Sequence, residues 1–470
     1  MSSAPTVKLC PTCRRLMPPD SMRCRHCLSD VRGVPTISEE EARVLERKPA
    51  RPRLVTGRRL LGSALLVLLA LFGWRIYTAF FDPPGPLPLP TLTAIGVEPD
   101  PRRWPMANGG IGATRATSAV PALSGEVAWE VMLGSTVETP PVADEQRLYL
   151  GLGDDRLVAL SVDDGRELWS FPIGFPLWSA PTVAGDRLYL ALRNGDVIAL
   201  DASEGRELWR VGKQETFFTS PAVVSGVAYV NGERVLFGLD AEDGSELWRE
   251  QTGELRAAMS PALSREQLVV SAGDRVAIYN LRTGERTYTF PDHRIEDLLI
   301  DGEQVFSVSP SRVAALNSRV RPYWWEGIRG LWAHVWLWGI VREPPRHQSL
   351  WLSREPPSEE IPRLAAAAMY APALDDGRLV VANADGLVRA YDRQTGRLAW
   401  ELRLGEVVGS PVFTGSGLLL STPSRMTLRN PEDGTEREHR LLAAEGVRHL
   451  VVTEHGTYVV DAPGRVLVLR

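Results

Sequence analysis

Beyond residue 120 the apolar residues come in short runs, each closed by Gly, Asn or Asp. Arg187-Leu188-Tyr189-Leu190-Ala191-Leu192 and Asp196-Val197-Ile198-Ala199-Leu200-Asp201 are two such runs. Their shortness, their β-formers and the polar turn residues around them predict strands packed on both faces, not amphipathic helix. Asn194-Gly195 between them predicts a hairpin turn with positive φ at both central residues. Asp164-Gly165 and Glu204-Gly205 predict the next hairpin of each unit, which ends in a strand carrying a Trp.

The pattern returns on a fixed beat. Gly165-Arg166-Glu167-Leu168-Trp169 recurs at Gly205–Trp209 and Gly244–Trp248, more weakly at Gly284–Tyr288, and again at Gly396–Trp400. Pro141, Pro181, Pro221 and Pro261 are each 40 residues apart. A period near 40 with four short strands per unit is the signature of a β-propeller, whose units bury their apolar faces only by stacking. Gly284 and Gly396 are 112 residues apart, so one unit is hidden there with an insertion. Val305–Val308 and Val313–Asn317 supply its strands, Leu350-Trp351 its delayed Trp strand, and the insertion occupies about 318–349.

The ends of the chain complement each other. Ala128–Val131 is a Trp strand with no three strands before it, whereas 449–453, 457–461 and 465–469 are three strands with no Trp strand after them. Paired, they complete one blade and leave no open sheet edge. Counting Trp129, Trp169, Trp209, Trp248, Tyr288, Trp351, Trp400 and the Gly434 unit, the chain is predicted to be all-β, an eight-bladed β-propeller over 121–470.

The N-terminal part has a different pattern. Leu60 to Trp74 is apolar without a charge, and Ile76 to Phe81 continues the run past Arg75. As a helix, 60–81 would be about 33 Å long, enough for a bilayer core. A basic block (Arg47, Lys48, Arg51, Arg53, Arg58, Arg59) precedes it in the charged linker 36–59, while Asp82 and a Pro-rich stretch follow. The positive-inside rule places the N-terminus in the cytoplasm and the propeller outside, on a single-pass plasma (inner) membrane protein. Residues 82–120 begin as a stiff Pro-rich spacer and then lack periodicity, which predicts loose packing or mobility up to about 120.

Cysteine usage sharpens this picture. All four cysteines lie before residue 28: Cys10, Cys13, Cys24 and Cys27 form two Cys-x-x-Cys knuckles that suit a tetrahedral zinc within 1–35. His26 sits between two of them as a bystander. Thiolates on the cytoplasmic side and none on the other agree with the topology. A net charge of -5 with intermixed signs argues against a general nucleic-acid surface.

The repeated Ala-Leu-Asp-x-x-x-Gly-x-x-Leu-Trp, as in Ala199–Trp209, resembles the quinoprotein (PQQ-type) repeat. An eight-bladed ring built from it is similar to the outer-membrane-protein assembly factors of the BamB family and to quinoprotein alcohol dehydrogenases. The resemblance implies that Trp129, Trp169, Trp209, Trp248, Trp351 and Trp400 dock against neighbouring blades. It also implies that an enzyme of this family would clamp its cofactor with an adjacent Cys-Cys pair, and the propeller contains no cysteine. PQQ and catalysis are therefore not expected, and no catalytic residue is assigned. Members of the BamB family carry a lipid on an N-terminal cysteine, and no lipobox precedes a cysteine here.

Five of the fourteen Trp lie in the insertion: Trp324, Trp325, Trp332, Trp336 and Trp338. Ile328, Leu331, Trp332, Val335 and Trp336 fall at helical spacing, which predicts a short amphipathic helix that either plugs the ring or contacts a membrane or partner. The expected function is a membrane-tethered, non-catalytic propeller that binds a protein of the cell envelope. A transmembrane sensor reporting to the zinc ribbon and a degenerate quinoprotein dehydrogenase are the alternatives.

Overall fold

The computed structural model describes residues 5–46, 57–81, 100–252, 260–264, 266–272, 275–281, 283–291, 295, 297–309, 312–319, 335, 338–340, 349–354, 369–405, 409–442, 447–461 and 463–470. They fall into two compact units, Met1–Thr78 and Ala79–Arg470.

In the first unit β1 (Thr6–Leu9), β2 (Leu16–Met17) and β3 (Ile37–Ser38) form a small sheet in the order β2-β1-β3. Helix α1 (Glu39–Glu46) starts at Ser38, whose Oγ accepts the Glu41 N–H at 3.3 Å, and carries three Glu in its first turn, where the helix dipole favours them. Helix α2 (Gly57–Phe81) covers the predicted apolar run. It is apolar on all sides, with Leu65 to Leu69, Leu71 and Phe72 exposed. Its side chains are described only from 62 to 77. Among the described residues no helix is long and apolar enough to cross a membrane.

Among its described residues the second unit is built almost wholly of strands. Eight four-stranded antiparallel sheets follow one another, here numbered from the sheet that starts at Val142. First strands of neighbouring sheets pack against one another, Val142–Ala143 on Thr182–Ala184 and Thr182–Ala184 on Ala222–Val224, while the fourth strands of sheets 1 to 3 hold only exposed and half-buried residues. The closing pair is as the sequence predicts. β4 (Val127–Met132) is the fourth strand of sheet 8, with Trp129 opposite Val468, beside strands Val447–Thr453, Gly456–Asp461 and Arg465–Leu469. Trp351, after the insertion, lies in Ser349–Arg354, the fourth strand of sheet 5.

The hairpin at Asn194-Gly195 differs from expectation. Only Gly195 has positive φ, at 93°. Leu192 N–H donates to Asp196 O at 2.9 Å and Gly195 N–H to Leu192 O at 3.0 Å, so the loop has three residues. Such a loop is a type I turn closed by one left-handed residue, and one glycine suffices.

The Trp of each repeat docks on the next sheet. Trp129, Trp169, Trp209, Trp351 and Trp400 donate their indole N–H to the carbonyls of Val162, Ala202, Ala241, Arg393 and Pro431 at 2.7–3.2 Å. The glycine of the same turn lies flat under the ring. A Cβ on Gly205 would stand 2.5 Å from Trp169, and one on Gly284 would stand 2.3 Å from Trp248. The motif therefore joins two sheets: its Gly receives the preceding Trp and its Trp covers the following Gly. Sequence reasoning missed a second set of cross-sheet bonds, from the Tyr149, Tyr189 and Tyr229 hydroxyls to Ala202, Ala241 and Leu281 carbonyls at 2.8–3.2 Å. Their spacing of 40 residues was the available signal.

Residues 100–119, expected to pack loosely, are laced into the propeller instead. This strap bonds to the inner strands in the order of the sheets. Pro101 O accepts Glu454 N–H of sheet 8, and Trp104 exchanges two bonds with Ala143 of sheet 1, all at 2.8 Å. Pro105 O accepts Val183 N–H of sheet 2, and Met106 packs into the core of sheets 3 and 4. The carbonyls of Ile111, Gly112, Thr114 and Arg115 then take the N–H of Leu263, Ile300, Leu374 and Phe413, one per sheet from 4 to 7, at 2.8–3.0 Å. Periodicity could not foretell this, because a segment bound through its main chain needs no repeating side chain.

Candidate functional site

Three places carry chemistry: the cysteine cluster, the strapped mouth of the propeller and the insertion.

In the first, the two knuckles are built alike. Arg14 N–H donates to Cys10 O at 2.8 Å and Leu28 N–H to Cys24 O at 2.9 Å. Arg14 and Leu28, each directly after the second Cys of its knuckle, have φ of 54° and 57°. These turns bring all four Sγ atoms within 4.8 Å of one another, with Cys10–Cys27 at 3.5 Å and Cys13–Cys24 at 3.4 Å. The cluster could hold a metal ion. Four thiols this close cannot ionise independently. The Ser29 hydroxyl and backbone N–H hold Cys27 down to about 6. Cys13 is pushed up to about 12: a backbone hydrogen bond at Arg15 favours its thiolate, but burial and the other three sulfurs outweigh it. The His26 ring is outside the cluster, 2.9 Å from Arg15 Nη1, as its bystander reading requires.

At the strapped mouth, Arg115 is the deepest pin. It is 5% exposed, and its guanidinium donates to Pro411 O at 3.0 Å and Ala107 O at 3.2 Å, 5.6 Å above the Trp104 ring. Burial pulls it down to about 10, so it stays charged at neutral pH. Over the strap lies an open bowl of about 1660 Å³, walled by the first turns of sheets 2 to 5. Its arginines are engaged: Arg187 with Glu242, Arg319 with Glu266 and Glu303. Among the described residues that line it are several carboxylates and no His or Cys.

Of the insertion, Trp324, Trp325, Trp332 and Trp336, with most of the predicted helix, lie outside the described residues. Trp338 is described and is 74% exposed.

A family model described as "Outer membrane protein assembly factor BamB" matches residues 111–173, 172–319 and 362–470, more than half of the chain. The chain belongs to the BamB family. No curated protein matches it. Among solved structures, BamB from Moraxella catarrhalis is 16% identical with a TM-score of 0.56, over 73% of this chain and 97% of that one. The quinohemoprotein alcohol dehydrogenase from Comamonas testosteroni is 13% identical with a TM-score of 0.58, over 79% and 81%. The computationally designed Ika8 protein is 14% identical with a TM-score of 0.55, over 73% and 99%. At such identities the likeness speaks for the fold alone, and it takes in an assembly factor, an enzyme and a design. In this BamB-family chain the match begins inside the strap, at residue 111, so strap and sheets are read as one body of sequence.

Proposed function

We propose that the chain is a membrane-anchored, non-catalytic scaffold of the cell envelope. Its eight sheets form one eight-bladed ring outside the membrane that holds a protein partner. A zinc ribbon stays on the cytoplasmic side of a single-pass plasma (inner) membrane helix. One observation carries the reading best: the chain's own strap occupies the mouth of the ring, and the described walls of the bowl above it carry carboxylates but neither His nor Cys. A surface of this kind suits a macromolecule better than a reacting small molecule. Membership in the BamB family supports the same direction.

Anchoring rests on the apolar run within 60–81 and on the basic block before it. For zinc, the fit is in the donor set. Sulfurs bound at about 2.3 Å to a tetrahedral ion lie about 3.8 Å apart, and the four Sγ lie within 4.8 Å. Cys10, Cys13, Cys24 and Cys27 would hold the ion, which would serve to tie the two knuckles together. Metal analysis of the freshly purified, reduced full chain should find one zinc, and Cys13→Ser should release it. A chain free of zinc under those conditions would remove the ribbon from this reading.

The enzyme alternative is tested directly. The full chain supplied with PQQ and calcium should show no dye-linked oxidation of alcohols or sugars above background. Saturable, PQQ-dependent turnover would replace the scaffold by a quinoprotein dehydrogenase.

A further inference from the structure

The mouth opposite the strap carries a pair of loops that join consecutive sheets. Trp178 and Phe218 hold the same place in the two repeats, three residues before Pro181 and Pro221. Each is followed by a buried hydroxyl that clips its loop to the end of a second strand. Ser179 Oγ donates to Ala191 O and Thr219 Oγ1 to Asn231 O, both at 3.2 Å. Ile173, Leu177 and Phe217 are buried beneath. The backbone is thus pinned from below, yet Trp178 stays 62% exposed and Phe175 38% exposed.

Arg193, from the turn after the second strand of sheet 2, stands between the two aromatics. Its guanidinium carbon is 4.4 Å from the Trp178 ring centroid and 5.0 Å from that of Phe218. Neighbouring cations have carboxylate partners: Arg210 with Asp196 and Lys213 with Glu246. Among the described residues Arg193 has none. Stacking occupies the faces of a guanidinium and leaves its in-plane N–H edge free, which is the edge that binds a carboxylate side by side. An exposed Trp beside a half-buried Arg on a pinned backbone is the usual composition of an interface anchor. A lone inorganic anion would make no use of the aromatic shelf, and a nucleic acid would need more than one unpaired cation.

We infer that Arg193, held between Trp178 and Phe218, is the docking point for an acidic segment of a partner protein. One carboxylate of that segment seats on the guanidinium edge, and an adjacent aliphatic side chain lies on Trp178 and Phe175. This rests on the scaffold reading above and gives the partner a chemistry.

The test uses the full chain in detergent and two fluorescein-labelled peptides, one alternating Glu and Leu, the other alternating Gln and Leu. The acidic peptide should bind at least tenfold more tightly, and Arg193→Gln or Trp178→Ser should each remove that preference without moving the melting temperature. Arg193→Lys, which keeps the charge and loses the planar stack, should fall between and covers the case in which Trp178→Ser fails to fold. Equal binding of both peptides, or full binding by Arg193→Gln, overturns the proposal. Photoreactive side chains at Phe175 or at Glu303, on the strapped side, separate it from the scaffold reading in intact cells. An adduct from Phe175 that is lost with Arg193→Gln supports the docking point. An adduct from Glu303 alone overturns it and leaves the scaffold standing, and none from either position overturns both.

Discussion

At the residue scale, the repeat glycine shows what a sequence discloses and what it withholds. The spacing of Gly165, Gly205 and Gly244 is legible at once, and so is their place in a turn. Their second duty is not, because the Trp that covers each one comes from the preceding repeat. Gly205 has φ of 68° and a Cβ there would stand 2.5 Å from the Trp169 ring, whereas Gly185 has φ of 63° and open space around it. Both pay the left-handed penalty on substitution, but only one also clashes. Gly205→Ala should therefore cost about 2–5 kcal/mol in chemical denaturation, and Gly185→Ala about 1–2 kcal/mol. Equal losses would mean that the glycine is a turn residue and nothing more. His449 gives a prediction on pH. Among the described residues its Nε2 is buried without a partner, and burial, followed by the nearby Arg448 and Arg115 charges, pushes it down to about 3. The unfolded chain takes up this proton near its ordinary value of 6.5 and the folded chain does not. Stability from this group is thus complete above that value and falls as pH drops through it toward 3. At pH 5 the loss approaches about 2 kcal/mol, and His449→Phe should flatten that part of the stability–pH curve.

At the element scale, strands and helix were legible and the strap was not. Alternating turn residues and apolar runs mark each strand by its own composition. The run at 60–81 likewise marks α2, since it is uncharged from Leu60 to Trp74 and resumes after Arg75. The strap has neither period nor apolar run, and Ala113 and Arg115, at φ of 57° and 48°, adopt a backbone that propensity disfavours. Its order comes from main-chain bonds to strands distant in sequence. Trp104 is its largest buried side chain, 1% exposed. Trp104→Ala should cost about 3–5 kcal/mol, and hydrogen exchange should quicken at Ala143, Val183, Leu263 and Ile300 together. Exchange rising at Ala143 alone would show that the strap is held sheet by sheet and not as one element.

At the scale of the whole molecule, the seam shows why the repeat of sheet 7 has no aromatic residue in the Trp position. In the fourth strand of sheet 7 the register that holds Trp209 in sheet 2 holds Glu438. Sheet 8 has no turn between its third and fourth strands to receive a Trp, because those strands come from opposite ends of the propeller segment, Arg470 N–H donating to Glu126 O at 3.1 Å. Arg440 takes over, donating to the Leu123 and Gly125 carbonyls. The sequence thus foretold the closing strands from what each end lacked, and the missing Trp marks the same junction. Sequence did less for the candidate sites. The cysteine cluster was legible because each knuckle is local, while the Trp178–Arg193–Phe218 stack joins three loops whose residues look unremarkable one by one. The central claim is that the ring works by holding a protein. Reversible crosslinking of intact cells, followed by recovery of the full chain and mass spectrometry of its adducts, tests it most directly. A discrete adduct of fixed stoichiometry, formed on the extracytoplasmic side and retained when zinc is stripped, is the expected result. A chain recovered without any adduct, or only with adducts on residues 1–46, would contradict it.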